Sequence, residues 1–453
     1  MRLALALLLN AGLLALLLPW LARQWRWAGP GWWRIVFVAG LALRVGVGIG
    51  RGWTPQHDAK MMTEFGHVVT ARLLTGPAVA WRTLTGAVTV FPSEVGWYDT
   101  VFQNLSNTWF LIKVLALLNL GSLGVAGING LYLSVFAFVG CWQLVRTLAH
   151  VFPATPAGAG VVAFGLWPSV WFWTSGISKE AVLLGSGAWL TAQVVAGLYR
   201  ETPAATGRSR AGWWLGTAAL ALVHFQMRYF FALPLLGVLA GVALGEALQR
   251  SGERYPRWRA AGVLAAVLAG GAWVAPHLSV AFSVNKFTNQ VIRVYSYEAE
   301  HSAGRPHVEY PDLRPTLASI AAHAPKAALN AVARPLPGES GLPQYVVAGL
   351  ENAALLVLMA IAAVAAVRGR AGHLPFALGL GLAVFCGVLA VLVGLTTPNF
   401  GSLNRYRSEL LPFLLLLLLQ HDFAARGLRF LRRGPAPMPV PGGEPISPPP
   451  PTA

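Results

Sequence analysis

Long apolar runs separated by short basic segments dominate the chain. Apolar stretches fall at residues 3–21, 33–50, 127–145, 155–174, 180–198, 212–228, 230–248, 260–282, 344–367, 374–396 and 409–424. Most approach the roughly 20 residues that a helix needs to cross a bilayer. The pattern predicts an all-α, polytopic transmembrane helix bundle of about eleven spans. A signal peptide is the rival reading of 3–21. Its apolar core is too long for one, and no clean small-residue cleavage site precedes Arg23, so a spanning helix is expected. Arg44 lies inside the second run, where a cation is costly in lipid and should face protein or water.

Two polar stretches interrupt the runs. In 51–126, Met61, Phe65, Val69 and Leu73 recur every four residues, with Glu64, His67 and Arg72 off that stripe. The stretch 101–120 is more apolar and carries Lys113. Both segments read as helices lying along the membrane surface with the apolar side down and Lys113 as an anchor, or as helices packed on the bundle. In 283–343, Tyr295, Tyr297 and Tyr310 stand among many charged residues, and Pro311, Pro315, Pro325, Pro335 and Pro337 divide the segment. It is short for a separate domain and reads as a lid. Residues 1–433 are thus one transmembrane domain. The tail 434–453, with nine prolines in twenty residues, should be disordered and cytoplasmic.

Composition supports this class. Of 453 residues, 55% are hydrophobic and 11% charged, against roughly 25% charged in soluble domains. The net charge of +17 is spread between apolar runs, with no basic stripe on a polar domain, which argues against nucleic acid. Cys141 and Cys386 sit in apolar segments and form no disulfide framework or metal motif. No phosphate-binding G-x-x-x-x-G-K-[ST] loop occurs. The segments 22–34, 146–153, 199–211, 249–259, 367–373 and the tail from 422 hold 17 basic residues in 84 positions; the opposite segments hold 15 in about twice that length. The arginine-dense side should be cytoplasmic, which places 51–126 and 283–343 outside, in the manner of a bacterial inner-membrane protein.

The chain's first acidic residue is Asp58, within Arg51-Gly-Trp-Thr-Pro-Gln-His-Asp58-Ala-Lys60, just beyond a membrane exit. A carboxylate there can work in water on a lipid-embedded molecule, although an ordinary solvated loop aspartate has the same position. Glu180 opens a helix, where an acid also complements the dipole. Lys60, Lys179, Arg228, Arg405 and Arg407 lie at the depth of lipid headgroups, where cations anchor helices or bind phosphate. Arginine suits phosphate because its planar fork binds two oxygens. Asn399, Gly401 and Asn404 read as a polar irregular turn around Arg405 and Arg407. Trp167, Trp171 and Trp173 fit an interfacial belt.

Three stretches together resemble the GT-C superfamily of polytopic glycosyltransferases that use polyprenyl-phosphate sugars. One is helix 33–50 followed by Asp58. Another is Gly130-Leu-Tyr-Leu-Ser134 through Leu144-Val-Arg146, Phe164-Gly-Leu-Trp-Pro-Ser169 and Trp171-Phe-Trp-Thr-Ser-Gly-Ile-Ser-Lys-Glu180. The third is Asn399-Phe-Gly-Ser-Leu-Asn-Arg405-Tyr406-Arg407 running into Leu411-Pro-Phe413. Ala333-Arg-Pro335 with Glu351-Asn352 also resembles bacterial envelope-polysaccharide membrane proteins. The resemblance implies transfer of a sugar from a lipid-linked donor to a glycan, lipid or protein acceptor outside the cytoplasm. Asp58 would be the base and His57 a neighbour sharing its proton, with Glu180 as a second catalytic candidate. Lys60, Lys179, Arg228, Arg405, Tyr406 and Arg407 would contact substrate. A divalent metal is allowed by the resemblance, but Asp58 has no adjacent second acid, and no other cofactor is implied. An envelope polysaccharide polymerase and a non-enzymatic transporter or flippase of lipid-linked glycans are the alternatives.

Overall fold

The computed structural model describes residues 2–29, 31–86, 88–91, 100–103, 105–199, 207–250 and 256–431; the proline-rich tail lies outside them. Among these residues, eight helices are long and apolar enough to cross a membrane: Arg2–Ala28, Trp32–Trp53, Ala126–Val151, Lys179–Tyr199, Tyr229–Gln249, Arg257–Leu278, Pro343–Val367 and Phe376–Thr396. At 1.5 Å per residue, even the 21-residue members reach roughly 30 Å, the apolar thickness of a bilayer. The chain is therefore a multi-pass membrane protein built on a helix bundle. Helices 2–28 and 257–278 bury little surface inside the protein.

Three of the expected spans take other forms. The run 155–174 is broken into Ala157–Val161, a π-helical turn Val162–Leu166, and Pro168–Trp173. Pro168 has no N–H to continue a helix and holds Trp167 extended, with φ −66° and ψ 122°. Arg44 answers the break: it is fully buried and donates from Nη2 to Phe164 O at 3.0 Å and from Nη1 to Thr174 O at 3.3 Å. The cation expected to avoid lipid does so by satisfying carbonyls that the broken helix leaves free. The run 212–228 belongs to helix Gly207–Met227. The run expected at 409–424 starts earlier. Phe400–Tyr406 is α-helical, Arg407–Glu409 forms a 3-10 turn, and Leu411–Leu419 continues as helix. The turn expected around Arg405 is therefore a helix, capped by Asn399, whose Oδ1 accepts from Gly401 N at 2.8 Å and Ser402 N at 3.2 Å.

Glycine lets the central helices approach closely. A Cβ on Gly140 would stand 2.0 Å from Gly185 O, and one on Gly130 would stand 2.4 Å from Gly48 O. Without side chains there, helices 32–53, 126–151 and 179–199 pack backbone to backbone, as small residues allow in membranes. This packing fixes the first turn of helix 179–199, and with it Glu180.

The segment 51–126 packs on the bundle. Phe65 and Val69 of helix His57–Leu73 are buried with Met62 in one core with Trp109, Leu111, Ile112 and Leu115 of helix Asn107–Ser122. Of the two readings of this stripe, packing on the bundle is the one the structure takes. Between these helices a small antiparallel hairpin, Val88–Phe91 with Thr100–Gln103, adds Phe91 and Phe102 to that core, an exception to the all-α expectation. Lys113 is no lipid anchor: its Nζ donates to Leu84 O at 3.1 Å, at the end of helix Pro77–Thr85.

The segment 283–343 forms helices Val284–Glu300 and Leu317–Ala333. Its connection docks beside the Asn399 cap, where Val308 N donates to Pro398 O at 3.0 Å. Tyr310 is buried and donates to Gly394 O at 3.1 Å while accepting from Asn330 at 3.0 Å. The segment is tied to the bundle by its backbone and by a buried hydroxyl.

Candidate functional site

Four helix ends converge on one face. Asp58 sits in the first turn of helix 57–73, and Glu180 in the first turn of helix 179–199. Arg228 occupies the break between helices 207–227 and 229–249, and Arg405 projects from helix 400–406. Their charges alternate along a continuous chain. Asp58 Oδ2 lies 3.3 Å from Arg405 Nη1, and Arg405 Nε 3.0 Å from Glu180 Oε2. Glu180 Oε1 lies 3.2 Å from Arg228 Nη2, and Arg228 Nη1 3.3 Å from Glu409 Oε1. The Tyr406 ring lies under both cations, 4.2 Å from the Arg228 guanidinium carbon and 5.8 Å from that of Arg405, within cation–π range.

Exposure falls steeply along this chain. The Asp58 side chain is 58% exposed, Arg405 13% and Glu180 0%. Among the three carboxylates of this ionic cluster, Asp58 alone is open to a water-borne molecule. Glu180 is enclosed by two guanidinium groups, so its local role is to hold both cations in place. A buried carboxylate with two such partners is stabilised only while both remain.

The sequence-predicted residues divide as follows. Asp58, Glu180, Arg228, Arg405 and Tyr406 come together. Lys179 borders them, but its Nζ donates to Asn107 Oδ1 at 3.1 Å and Thr108 Oγ1 at 2.8 Å. Lys60 is exposed, with no side-chain partner among the described residues. His57 begins its helix, and its side chain lies outside the described residues. Arg407 points away from the cluster, because two residues along a helix turn a side chain about 200°. It is 1% exposed and donates from Nη1 to Arg334 O at 3.3 Å. There it joins the other singled-out motif: Asn352 Nδ2 donates to Pro335 O at 2.7 Å, and Glu351 Oε1 accepts from Ser169 N at 3.0 Å. Arg407 thus holds the Ala333–Pro335 stretch, Asn352 links that stretch to helix 343–367, and Glu351 links the helix to Ser169.

Sequence reasoning missed three participants. Glu409 follows Arg405 by four residues, the spacing that shares a helix face, but it read as the start of a lipid-facing run. Arg51 donates to Phe172 O at 3.0 Å and Ser175 O at 2.9 Å, satisfying carbonyls at the end of helix 168–173. Glu298, on helix 284–300, lies beside Ser402 and in the fields of Asp58 and Arg405. Burial pushes its carboxyl above the ordinary range, the Asp58 charge adds to this, and Ser402, His301 and Arg405 oppose it.

An apolar groove of about 220 Å³ ends at the cluster. Phe230, Phe231, Phe287, Val291 and Leu392 supply its walls; Arg228, Tyr406 and Asn107 supply its polar end. A larger cavity, about 370 Å³, opens elsewhere beside His67 and Asn119 and touches none of the clustered ions. The groove is the space that belongs with the chemistry, since it joins apolar walls to Arg228 and Tyr406 of the cluster. Among the described residues, no group of three or more His, Cys, Asp or Glu side chains is placed to hold a metal ion. The chain matches no protein-family model, no curated protein and no solved structure.

Proposed function

We propose that this protein is a membrane glycosyltransferase that moves a sugar from a polyprenyl-phosphate carrier to a glycan, lipid or protein acceptor outside the cytoplasm. One observation carries the reading: an apolar groove ends at Arg228, which Glu180 bridges to Arg405, and a solvent-exposed carboxylate touches Arg405. The groove suits the first isoprene units of a carrier. Arg228 at its polar end, with Arg405 beside it, suits the phosphate. Asp58 is then placed to accept the proton of the attacking hydroxyl from the water side, as a general base. Glu180 and Glu409 hold the arginines, so no proton transfer is assigned to them.

The topology belongs to the same proposal. The chain crosses eleven times, counting the broken segment 157–173, helix 207–227 and the kinked helix 400–419, with the cluster on the extracytoplasmic side of a bacterial inner membrane. The arginine asymmetry of the loops supports this orientation. So does the meeting of Trp33 and Leu431, from two of the segments assigned to the cytoplasmic side, where Trp33 Nε1 donates to Leu431 O at 3.2 Å.

The reading is tested by binding polyprenyl phosphate to the protein in nanodiscs. Wild type should bind it, and Arg228→Ala should weaken binding about tenfold or more, the scale of a charge-assisted contact. Equal binding by wild type and Arg228→Ala would remove the carrier from the groove.

A further inference from the structure

Behind the inner wall of the groove lies a small cavity. Phe231 lines both spaces, and its ring lies 5.1 Å from the Arg228 guanidinium carbon. The inner cavity measures about 10 Å³, close to the volume that one water molecule occupies. Two polar side chains reach it, His224 from helix 207–227 and Glu409 from the 3-10 turn. Both are buried, at 4% and 3% exposure. His224 Nε2 and Glu409 Oε2 have no hydrogen-bond partner among the described residues.

The remaining polar atoms of both side chains are engaged, and this fixes what the two bare atoms need. Ser186 Oγ donates to Leu183 O at 3.1 Å, so its hydrogen is spent. His224 Nδ1 lies 3.0 Å from Ser186 Oγ and 3.2 Å from Leu183 O. Facing two acceptors, Nδ1 must carry the ring proton. A neutral ring with its proton on Nδ1 presents Nε2 as a bare acceptor. Glu409 Oε1 accepts from Arg228 Nη1 at 3.3 Å; held ionised by that guanidinium, the carboxylate would present Oε2 as a second bare acceptor. Two acceptors across a cavity of this size are both satisfied by one molecule that donates twice.

We propose that a single water molecule donates to both His224 Nε2 and Glu409 Oε2, making His224 a positioning residue for Arg228. The linkage runs from His224 through the water to Glu409, and from Glu409 to Arg228 at the end of the groove. The water and the tautomer stand independently of the glycosyltransferase reading; only the consequence for phosphate binding rests on it.

Nitrogen-15 NMR of the full chain in nanodiscs, labelled at histidine, tests the first part. The His224 signal is assigned by its loss in His224→Gln. It should show a neutral ring with the proton on Nδ1 and a cross-peak from Nε2 to slowly exchanging water. An Nε2–H tautomer, an imidazolium or the absence of the water cross-peak would overturn the assignment. Polyprenyl phosphate affinity tests the second part. His224→Gln keeps an acceptor for the water and should bind within about twofold of wild type. His224→Phe keeps ring volume without an acceptor and should bind about tenfold more weakly, as expected when a buried acceptor of a charged network loses its donor. Gly187→Ala should match it, because its Cβ would stand 2.9 Å from His224 Cε1 and press the ring into the cavity. Equal losses for His224→Gln and His224→Phe would make the role one of packing and overturn the positioning claim. If Arg228→Ala alone leaves affinity unchanged, the carrier reading fails while the NMR result stands or falls by itself.

Discussion

Glu180→Gln should destabilise the protein far more than Asp58→Asn, although both remove a carboxylate paired with Arg405. The Glu180 side chain is fully buried and contacts Arg228 and Arg405, themselves 10% and 13% exposed. Glutamine keeps the shape but leaves two cations facing a neutral amide. Removing one partner from a buried ion pair costs about 3–5 kcal/mol. Asp58 and Glu409 stay in place and limit the loss to the lower part of that range. The Asp58 side chain is 58% exposed, and exposed pairs contribute about 0–1 kcal/mol. Unfolding entropy near 2.1 cal/mol/K per residue, over 453 residues, gives about 1 kcal/mol per degree. Glu180→Gln should therefore lower the melting temperature by roughly 3–4 °C, and Asp58→Asn by about 1 °C or less. Intrinsic fluorescence of the 18 tryptophans reports both transitions in detergent. Equal shifts for the two variants, or none for Glu180→Gln, would refute the ordered descent from exposed Asp58 to buried Glu180.

Three further outcomes follow from the same geometry. Arg407→Ala should lower the melting temperature while leaving polyprenyl phosphate affinity within about twofold, because Arg407 faces Arg334 O and not the groove; reduced affinity at unchanged stability would contradict that placement. The Glu298 carboxyl is raised by burial and by Asp58. Its neutral form is therefore the one the folded state favours, and its contribution is fully present at acid pH. That contribution is lost as pH rises from the ordinary carboxylate range through the raised value. A pH series of melting temperatures should show this decline in wild type and lack it in Glu298→Gln; superimposable curves would count against it. Cysteines introduced at exposed Ala303 and Ala371 should label from opposite sides, since the native Cys141 and Cys386 are buried. Ala303→Cys should react with an impermeant reagent in intact cells and Ala371→Cys only after lysis, and equal labelling before lysis would undo the eleven-crossing topology.

What could be read from the chain was what periodicity and charge dictate locally. Apolar runs located all eight long helices, and the isolation of Asp58 after a run marked one end of the ionic chain. The break near Pro168 was not read from the run 155–174, although a proline that cannot continue a helix signals it. What escaped depended on contacts distant in sequence. The stripe through Phe65 and Val69 has the spacing of a surface helix whether lipid or helix 107–122 covers it. Asn399 to Arg407 looked like a loop because Asn, Gly and Ser favour turns; the Asn399 cap and the packing around Phe400 and Leu403 fold it as a helix. That choice separates Arg405 from Arg407, which the sequence presents as a pair. Glu298 and Glu409 gain their places only from tertiary contacts, across 240 and 351 residues from Asp58.

The central claim is that Asp58 accepts a proton during sugar transfer from a polyprenyl-phosphate donor. The most direct measurement is release of polyprenyl phosphate from a panel of radiolabelled polyprenyl-phosphate sugars, by purified protein in nanodiscs with envelope acceptor fractions. Wild type should release the carrier from at least one donor. Asp58→Asn should bind polyprenyl phosphate as wild type does and turn over about 100-fold more slowly or worse, the contribution of a positioned general base. Release by Asp58→Asn at the wild-type rate, or no release from any donor by wild type, would contradict the account.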